Sequence, residues 1–541
     1  MIWNRKLASG SDLQNKKVAM RLPVALSSGR AKEFWLLSGF LTIVTVLRLC
    51  YLGSHELAPD EAYFYLWSQH PAVCYYDKGP GVAMATLLTT SVLGQSEFGV
   101  RASSPFFMLG ASISLYLLAK KMFDGTVGLW TVIGANAMPI FNVGAETLTI
   151  DPASVFFWSL SLLTFWKALH STDGGSRYWL LTGTLIGLGF LCKWVNCLQL
   201  ISVILILGFN PAGRVYFRRR QFYLLIAAFA ICAALPVYWN SQRGWATLSQ
   251  LQGRASLDRP VGFHPTELLI FVAQHFAVYS PLLCLGLFVT LASAVRFHRR
   301  DFKAYYLVSF AVPVLVLYSL LSINKAALPN WTATAFLSLG VLTAADWRER
   351  IARRPSLFKW AVAAVVVAFL SSIVILDTNL LRAAGMRIPY RYDPSARLEG
   401  WATLAERVAS VRTQCEARLQ SRLFLIAGQT QLAAEISFYL RPPVEAPGHP
   451  PVYLLARAYT QNQFSFWPSY EQDPADSGIS FRNRDALYID GKPDDLLPPR
   501  ELGATFSRIE RLSPIEIKKD GEILRKVRVL LCINYHGRES P

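Results

Sequence analysis

Long apolar runs alternate with short polar segments from the start of the chain to about residue 377. A helix that crosses the hydrocarbon core of a bilayer needs roughly 17–25 mainly apolar residues, and about eleven runs reach or approach that length. The pattern therefore predicts a mainly α polytopic membrane protein with about eleven transmembrane helices. The runs lie near 34–53, 98–118, 126–143, 152–169, 178–191, 194–208, 221–238, 266–294, 304–322, 329–346 and 357–377.

Basic residues collect at every second junction between these runs, and this distribution predicts the orientation of the chain. Lysine and arginine are retained on the cytoplasmic side of membrane proteins, so residues 1–33 and the even-numbered junctions are expected to be cytoplasmic. The odd-numbered junctions, including the loop 54–97, then face outside. No small-residue cleavage pattern follows the first run, which predicts a retained signal anchor. Only Lys193 separates the short fifth and sixth runs, and a single bent element there is an alternative that would break the alternation.

The character of the chain changes after the last run, where residues 379–541 become polar and mix two periodicities. This pattern predicts a small C-terminal α/β extracytoplasmic domain, after a cytoplasmic segment 1–33 and a transmembrane module 34–378. Two roles remain open for the domain, a structural cap and a part in substrate binding. The predicted elements are a helix at 398–419, short strands at 422–427, 451–456 and 485–490, and a hairpin at 515–535 that turns at Asp520-Gly521.

Composition supports a membrane protein and changes how the charge is interpreted. The 541 residues are 52% hydrophobic, with a mean hydropathy of +0.30, which is too apolar for a soluble enzyme of this size. The net charge of +18 is explained by basic span ends and predicts no nucleic-acid partner. Five of the eight cysteines lie in or beside apolar runs, whereas Cys415 and Cys532 lie in the polar C-terminal part. That pair is able to form a disulfide in an oxidising compartment, and no spacing typical of a zinc site is present.

The first outer loop holds the most conspicuous polar cluster, "ELAPDEAYFYLWSQHPAVCYYDKGPG" at 56–81. Its aromatic residues and prolines predict a packed loop with a short helix along the membrane surface. Asp60 is expected in the first turn of that helix, where the backbone dipole favours an acid. Asp151 precedes a later span with Pro152 behind it, and a simple helix cap is the alternative for this acid.

Isolated cations complete the chemistry expected on the outer side. Lys193 and Lys325 are single lysines at outer span ends, where snorkelling is the alternative, and the outer loop 239–265 is unusually basic. An acid can accept a hydroxyl proton, and a cation can stabilise a departing phosphate. Together at headgroup level, these groups favour transfer of a group from a lipid phosphate to an acceptor outside the cytoplasm.

Two other functions are alternatives to group transfer. A secondary transporter is expected to place charges near the bilayer midplane in repeated halves, whereas these charges lie at outer span ends and no repeat is evident. A non-catalytic scaffold or sensor would depend on residues 398–541 rather than on Asp60.

The motifs also carry a family resemblance that covers residues 35–490. The chain resembles membrane glycosyltransferases with the GT-C fold, in the family-39 and dolichyl-phosphate-mannose-protein mannosyltransferase-like group, which neighbours the aminoarabinose transferases that act on lipid A. The resemblance implies a bacterial inner-membrane enzyme that moves a sugar from a polyprenyl-phosphate donor to a hydroxyl of a protein, lipid or glycan, with inversion. The stretches that carry it are "PDEAYFYLWSQHPAVCYYDKGPG", "TLTIDPASVFFWSL", "GLGFLCKWV", "NKAALPNWTATAFLSLG", "QLAAEISFYL", "NQFSFWP" and "RDALYID".

The resemblance also implies roles for individual residues. Asp60 matches the catalytic base, and Asp151 matches the second acidic position of the fold. Lys78 and Tyr75 match residues that contact the donor phosphate. One departure concerns the arginine that aminoarabinose transferases carry two positions after the acid pair, because Tyr63 stands there and argues against the same phosphate grip.

The remaining roles concern the donor and a metal. Lys193 and Lys325 match positions near the donor, while Glu61 supports either the loop or a metal. No cofactor is required by the sequence, and a divalent metal held by Glu61 and Asp77 is an option that some relatives suggest. The sugar and the acceptor are left open.

Overall fold

The computed structural model describes residues 24–171, 174–255, 262–297, 301–325, 327–383, 385–386, 389–390, 393–457, 460, 462–493, 495 and 497–537. Most of these residues are helical, as the apolar runs predicted. Most of the N-terminal segment 1–33 and residues 256–261 of the basic loop lie outside the described residues.

The helices follow the predicted apolar runs closely. In chain order they are α1 (Val24–Tyr51), α2 (Pro59–Gln69), α3 (Gly81–Leu93), α4 (Glu97–Arg101), α5 (Ser103–Met122), α6 (Gly125–Ala137), α7 (Pro139–Gly144), α8 (Asp151–Leu169), α9 (Ser176–Cys192), α10 (Leu198–Phe209), α11 (Arg220–Ser241), α12 (Ala246–Arg254), α13 (Pro265–Val278), α14 (Pro281–Phe297), α15 (Phe302–Asn324), α16 (Ala333–Arg353), α17 (Phe358–Leu376), α18 (Asn379–Ala383), α19 (Trp401–Leu419), α20 (Thr430–Leu440), α21 (Pro474–Ser477) and α22 (Arg500–Gly503).

Several of these helices are long and apolar enough to cross a membrane. By length and composition the described residues contain five: Ala31–Tyr51, Glu97–Met122, Arg220–Ser241, Phe302–Asn324 and Pro355–Leu376. The eighth predicted span, 266–294, forms two helices, because α13 and α14 meet at a bend of 119°, and its single crossing stays a prediction. Ser280, in the linker between them, has a positive φ of 71°, and Pro281 begins the second helix. The total of about eleven spans stays a prediction.

The chain divides into two compact units, which are described separately. The helical unit comprises residues 1–51, 104–146 and 150–373, and the α/β unit comprises 52–103, 147–149 and 374–541. The sequence predicted a boundary between residues 378 and 379, which places the first outer loop with the transmembrane module instead of the α/β unit. That boundary stays a prediction.

Aromatic side chains fill the core of the helical unit. Trp158 and Phe165 of α8 pack against Phe310 of α15, and Tyr306 stacks on Phe165. The Tyr306 hydroxyl donates a 2.6 Å hydrogen bond to the carbonyl of Leu162. This bond satisfies a buried hydroxyl group within an apolar core and ties two helices that lie far apart in the sequence.

A mixed sheet forms the centre of the α/β unit. Its order is β2-β1-β3-β6-β4, with β5 also paired to β6. The first three strands are mutually parallel, and β6 is antiparallel to its neighbours. The bounds are β1 (Leu423–Ala427), β2 (Tyr453–Leu454), β3 (Asp485–Asp490), β4 (Phe506–Arg511), β5 (Ile515–Lys519) and β6 (Glu522–Tyr535).

The predictions for the C-terminal elements are largely confirmed. The three short strands, the helix α19 and the hairpin all form, and the turn at Asp520 and Gly521 has the positive φ values of 50° and 82° that such a turn requires. Cys415 and Cys532 are both buried and free, so the disulfide left open by the sequence does not form.

Candidate active site

Helix α2 presents the first acid of the predicted pair to solvent. Pro59 begins the helix, and Ala58 is its N-cap residue. The Glu61 carboxylate accepts a 2.7 Å hydrogen bond from the backbone N–H of Ala58. Asp60 lies in the first turn and is exposed. Its carboxylate makes no hydrogen bond or ion pair with any residue that the structure describes. Most of the other residues of α2 are buried, as expected of a packed loop, and the position of this helix along the membrane surface stays a prediction.

Unlike the exposed Asp60, Glu61 is buried and paired. Its side chain is 1% exposed and pairs with Arg101, which is 3% exposed. The two guanidinium–carboxylate hydrogen bonds measure 2.8 and 2.7 Å, and Glu61 also accepts a 2.7 Å bond from the backbone of Leu148. A bidentate buried pair of this kind fixes orientation as well as charge, so it supports the loop role predicted for Glu61.

Arg101 also organises the chain that leads into α2. Its remaining donors bind the carbonyls of Leu52 and His55, both at 2.8 Å, and that of Glu56 at 2.7 Å. All five guanidinium hydrogens are therefore used. The turn that precedes Asp60 is held on a rigid support, as precise positioning of a reacting group requires.

Tyr75 and Lys78 lie in a compact turn further along the loop. The Tyr75 side chain is fully buried and stacks on Trp67 of α2, and its hydroxyl donates to the carbonyls of Trp67 at 2.9 Å and His70 at 3.1 Å. Burial raises the pKa of Tyr75 to about 12. Its backbone N–H binds the carbonyl of Lys78 at 2.9 Å. These contacts show that Tyr75 stabilises the loop. Lys78 lies in the same turn and is half-buried. The phosphate-binding roles of both residues stay predictions.

The helical unit contains a second cluster, built around Asp151. This acid begins α8, and Ile150 takes the cap position instead, so the simple-cap alternative is wrong. Lys193, which ends α9, places its ammonium 2.5 Å from the Asp151 carboxylate, with side-chain exposures of 9% and 18%. The lysine therefore does not snorkel into open solvent. Asn330 completes the cluster, because its carbonyl accepts from Lys193 and its side-chain amide donates to Asp151, both at 3.2 Å.

A fully buried polar network continues from this cluster into the helical unit. Asn196, in the turn after Lys193, donates to the Ser154 hydroxyl at 2.6 Å. The side-chain amide of Gln199 of α10 donates to the side-chain amide oxygen of Asn196 at 3.3 Å and accepts from the Ser161 hydroxyl. Because fully satisfied buried networks rigidify their surroundings, this one fixes the helix ends that carry Asp151 and Lys193.

The remaining predictions concern Lys325 and a metal site. Lys325 follows α15, is exposed, and forms no ion pair with a described side chain. The metal role of Glu61 and Asp77 stays a prediction, but both Glu61 oxygens already bind Arg101 and backbone N–H groups. No cluster of three or more His, Cys, Asp or Glu suited to a metal occurs among the described residues, and the mechanism below uses none.

Sequence reasoning missed Arg101 and Asn330. Arg101 was read as part of an apolar run, although a lone charge within such a run is itself a signal of a buried partner. Asn330 stands in the quoted stretch "NKAALPNWTATAFLSLG", but nothing local distinguishes a carbonyl and an amide that face an ion pair.

Comparisons with known proteins agree with the resemblance drawn from the motifs. Residues 77–239 match the family described as dolichyl-phosphate-mannose-protein mannosyltransferase. The lipid A galacturonosyltransferase RgtD of Rhizobium johnstonii is 25% identical over 310 residues, 56% of this chain and 64% of that protein. An undecaprenyl phosphate-alpha-4-amino-4-deoxy-L-arabinose arabinosyl transferase of Pseudomonas savastanoi is 27% identical over 293 residues, 50% of this chain and 51% of that protein. The chain spans less than two thirds of the length of these curated relatives.

Solved structures share the fold. ArnT from Cupriavidus metallidurans in the apo state has a TM-score of 0.59 at 17% identity, over 92% of this chain and 98% of that one. The same protein bound to undecaprenyl phosphate has a TM-score of 0.60 at 18% identity, over 91% and 97%. The resemblance is thereby confirmed: the chain has a GT-C fold and is related to the aminoarabinose transferases.

Proposed function

We propose that this GT-C-fold protein is a glycosyltransferase that moves a sugar from a polyprenyl phosphate to a hydroxyl acceptor on the outer face of a bacterial inner membrane. The relationship to RgtD and to the arabinosyl transferases supports the reaction class. The observation that carries the assignment is the contrast within one acid pair: Glu61 is locked by Arg101, whereas Asp60 is exposed and uncommitted on the same rigid turn.

Asp60 serves as the general base in this reaction. It takes the proton from the acceptor hydroxyl while that oxygen attacks the anomeric carbon of the donor sugar. The bond from that carbon to the phosphate oxygen breaks, and polyprenyl phosphate leaves. Attack opposite the leaving group inverts the anomeric centre.

Cations stabilise the negative charge that develops on the leaving phosphate. We assign this role to Lys78 and Lys193, with Lys325 and the basic loop 239–265 as supporting groups. Asp151 orients Lys193, because the ion pair and Asn330 hold the ammonium in one place.

The proposed topology has eleven spans, with the eighth run broken between α13 and α14. Residues 1–33 lie in the cytoplasm, while the loop 54–97 and the domain 379–541 lie outside. The alternating basic junctions support this arrangement. It places the donor among the spans and all the assigned side chains on one side of the membrane.

Asp60→Asn tests the catalytic assignment. Purified wild type and variant, in detergent, receive synthetic polyprenyl-phosphate sugars and a membrane extract as acceptor source, and free polyprenyl phosphate is followed by mass spectrometry. The variant is expected to lose at least about a hundredfold in transfer rate, as removal of a general base does, while donor binding is retained.

Asp476→Asn is the matched control. Asp476 is likewise an exposed acid in the first turn of a helix of the α/β unit, and its substitution should leave the rate unchanged. Transfer by Asp60→Asn at the wild-type rate rules out Asp60 as the base. Failure of wild type to release phosphate from any donor argues against the reaction class itself.

A further inference from the structure

A pocket in the α/β unit lies apart from the residues assigned to catalysis. It has a volume of about 300 Å³ and is lined by residues 453–457 and by residues within 460–472. We call it the β2 pocket, because its first wall is β2 and the residues that follow it. Its volume is at the lower end of the range of small-molecule sites, roughly 300–1,000 Å³.

The pocket is attached to the parallel part of the sheet. Strand β1 has β2 on one side and β3 on the other, all parallel, and β2 is the edge strand. The pocket opens where β2 ends, and its wall residue Asn462 donates a 3.1 Å hydrogen bond to Thr430, which begins the helix after β1.

The lining indicates the class of ligand. Trp467 and Phe464 supply aromatic surface, whereas Arg457, Thr460, Asn462 and Gln472 supply hydrogen-bond donors and acceptors. Most of the lining is polar, which disfavours a polyprenyl chain. A sugar ring combines an apolar face of C–H groups, which packs on aromatic rings, with a rim of hydroxyl groups that need polar partners.

The segment that supplies this wall also contacts the first outer loop, through the lining residues Phe464 and Trp467 and through Gln463, which lies between two lining residues. The backbone N–H of Gln463 donates to the Tyr63 hydroxyl, and the Gln463 side chain accepts from the backbone of Tyr76, both at 2.8 Å. Phe464 stacks on Tyr63 with parallel ring planes, and Trp467 packs on His70 at 4.6 Å between ring centroids. One short segment therefore lines the pocket and supports the loop that carries Asp60.

We propose that the β2 pocket binds a saccharide and serves as a substrate-recognition site of this enzyme. The inference rests on the proposed function, since a glycosyltransferase meets sugars in its donor and in glycan acceptors. The bound sugar then braces the segment at Gln463 and with it the contacts of that residue to Tyr63 and Tyr76 of the first outer loop.

Binding is measured first, without any transfer reaction. The full chain in detergent is mixed with methyl glycosides of a neutral hexose, a hexuronic acid and an N-acetylhexosamine, and saturation-transfer NMR reports contact. Thr460→Trp fills the pocket from an exposed position, and Arg457→Ala removes a polar partner. Arg457→Ala is expected to weaken binding of at least one sugar by about tenfold, the loss of one charge-assisted hydrogen bond. Thr460→Trp is expected to weaken binding at least as much, because its side chain occupies the space of the sugar. Arg407→Ala, on the exposed face of α19, is the matched control.

Transfer kinetics then identify which sugar is bound. If Thr460→Trp raises KM for the acceptor while donor cleavage without acceptor is unchanged, the pocket holds the acceptor glycan. A raised KM for the donor instead assigns the pocket to the donor sugar. Either result supports a saccharide site.

Two outcomes overturn the proposal: wild type contacts none of the three glycosides, or both pocket variants bind them as well as Arg407→Ala does. These outcomes are separate from failure of the proposed function. If no donor is cleaved but sugar binding is lost in Thr460→Trp, the catalytic assignment fails and the saccharide site stands.

Discussion

At the residue scale, burial separates carboxyl groups with different functions in the α/β unit. Glu435 of α20 is 1% exposed, and neither of its carboxylate oxygens has a hydrogen-bond partner among the described residues. Burial raises the pKa of Glu435 well above its usual value, because a carboxylate removed from water is disfavoured relative to its neutral form. The charged groups that surround it are Arg525, Glu61, Glu56 and Arg101.

Glu435→Gln is therefore expected to stabilise the protein increasingly as pH rises. The folded state keeps a proton that the unfolded chain releases above about pH 4.5, so this group lowers the free energy of unfolding as pH rises from there towards its folded pKa. Glutamine has a similar shape and does not titrate, so the variant does not lose free energy of unfolding in this way as pH rises. The apparent Tm in detergent, at one scan rate, should differ little between variant and wild type near pH 4.5 and increasingly favour the variant up to pH 8.

Glu406→Gln, at an exposed position on α19, provides the baseline for this comparison. A Tm difference for Glu435→Gln that stays constant across the pH range would show that Glu435 is ionised in the folded protein.

The pair of Asp151 and Lys193 leads to a second prediction at this scale. Removing one partner of a buried ion pair costs roughly 3–5 kcal/mol, because the other charge is left uncompensated, whereas replacing both is far less costly. Lys193→Met alone should therefore lower the apparent Tm more than the double variant Asp151→Asn with Lys193→Met does. Both should lose transfer activity if Lys193 binds the donor phosphate.

Thermal unfolding of the two single variants, the double variant and wild type completes this cycle. If the double variant loses as much stability as the two single variants combined, the side chains are not coupled and the ion pair is not what holds this cluster together.

At the scale of elements, Arg101 determines whether the turn before α2 keeps its shape. Arg101→Lys preserves the charge but offers three donors from one point instead of five in a planar fork. The carbonyls of Leu52, His55 and Glu56 cannot all be satisfied from that point. Hydrogen exchange should rise across 52–61, and transfer should fall although Asp60 is unchanged.

Arg407→Lys on α19 is the control for this substitution, because it makes the same chemical change at an exposed position. Unaltered exchange across 52–61 in Arg101→Lys would mean that other contacts hold the turn.

The elements also show which features the sequence reveals. Apolar runs, strand-like segments and the Asp520-Gly521 turn are local patterns, and the structure forms a helix, strand or turn at each of them. The partners that bury α2 and the bend between α13 and α14 depend on neighbours elsewhere in the chain, so local patterns did not reveal them. The same reason applies to partners: Arg101 lies 40 positions from Glu61 and Lys193 lies 42 positions from Asp151, and no periodicity reports a contact of that range.

At the scale of the whole molecule, the bend of 119° between α13 and α14 determines how the membrane topology is counted. The basic segments around Arg214–Arg220 and Arg348–Arg354 are both proposed to be cytoplasmic. Four crossings separate them if the bent pair crosses the membrane once, because α11, α15 and α16 supply the other three. If the pair enters and leaves on the same side, only three crossings remain and the two segments lie on opposite sides.

Cysteines introduced at Ala212, Glu349 and Asp476 distinguish these topologies, since all three side chains are exposed. With a membrane-impermeant maleimide, Asp476→Cys should be labelled in cells with a permeable outer membrane, and the other two only after the inner membrane is opened. Wild type, in which Cys50 is the one exposed cysteine among the described residues, gives the background. Opposite labelling of Ala212→Cys and Glu349→Cys would make α13 and α14 a re-entrant pair. One of two segments would then lie on the cytoplasmic side, either the basic loop 239–265 or the domain 379–541. That segment could not contact a donor in the outer leaflet.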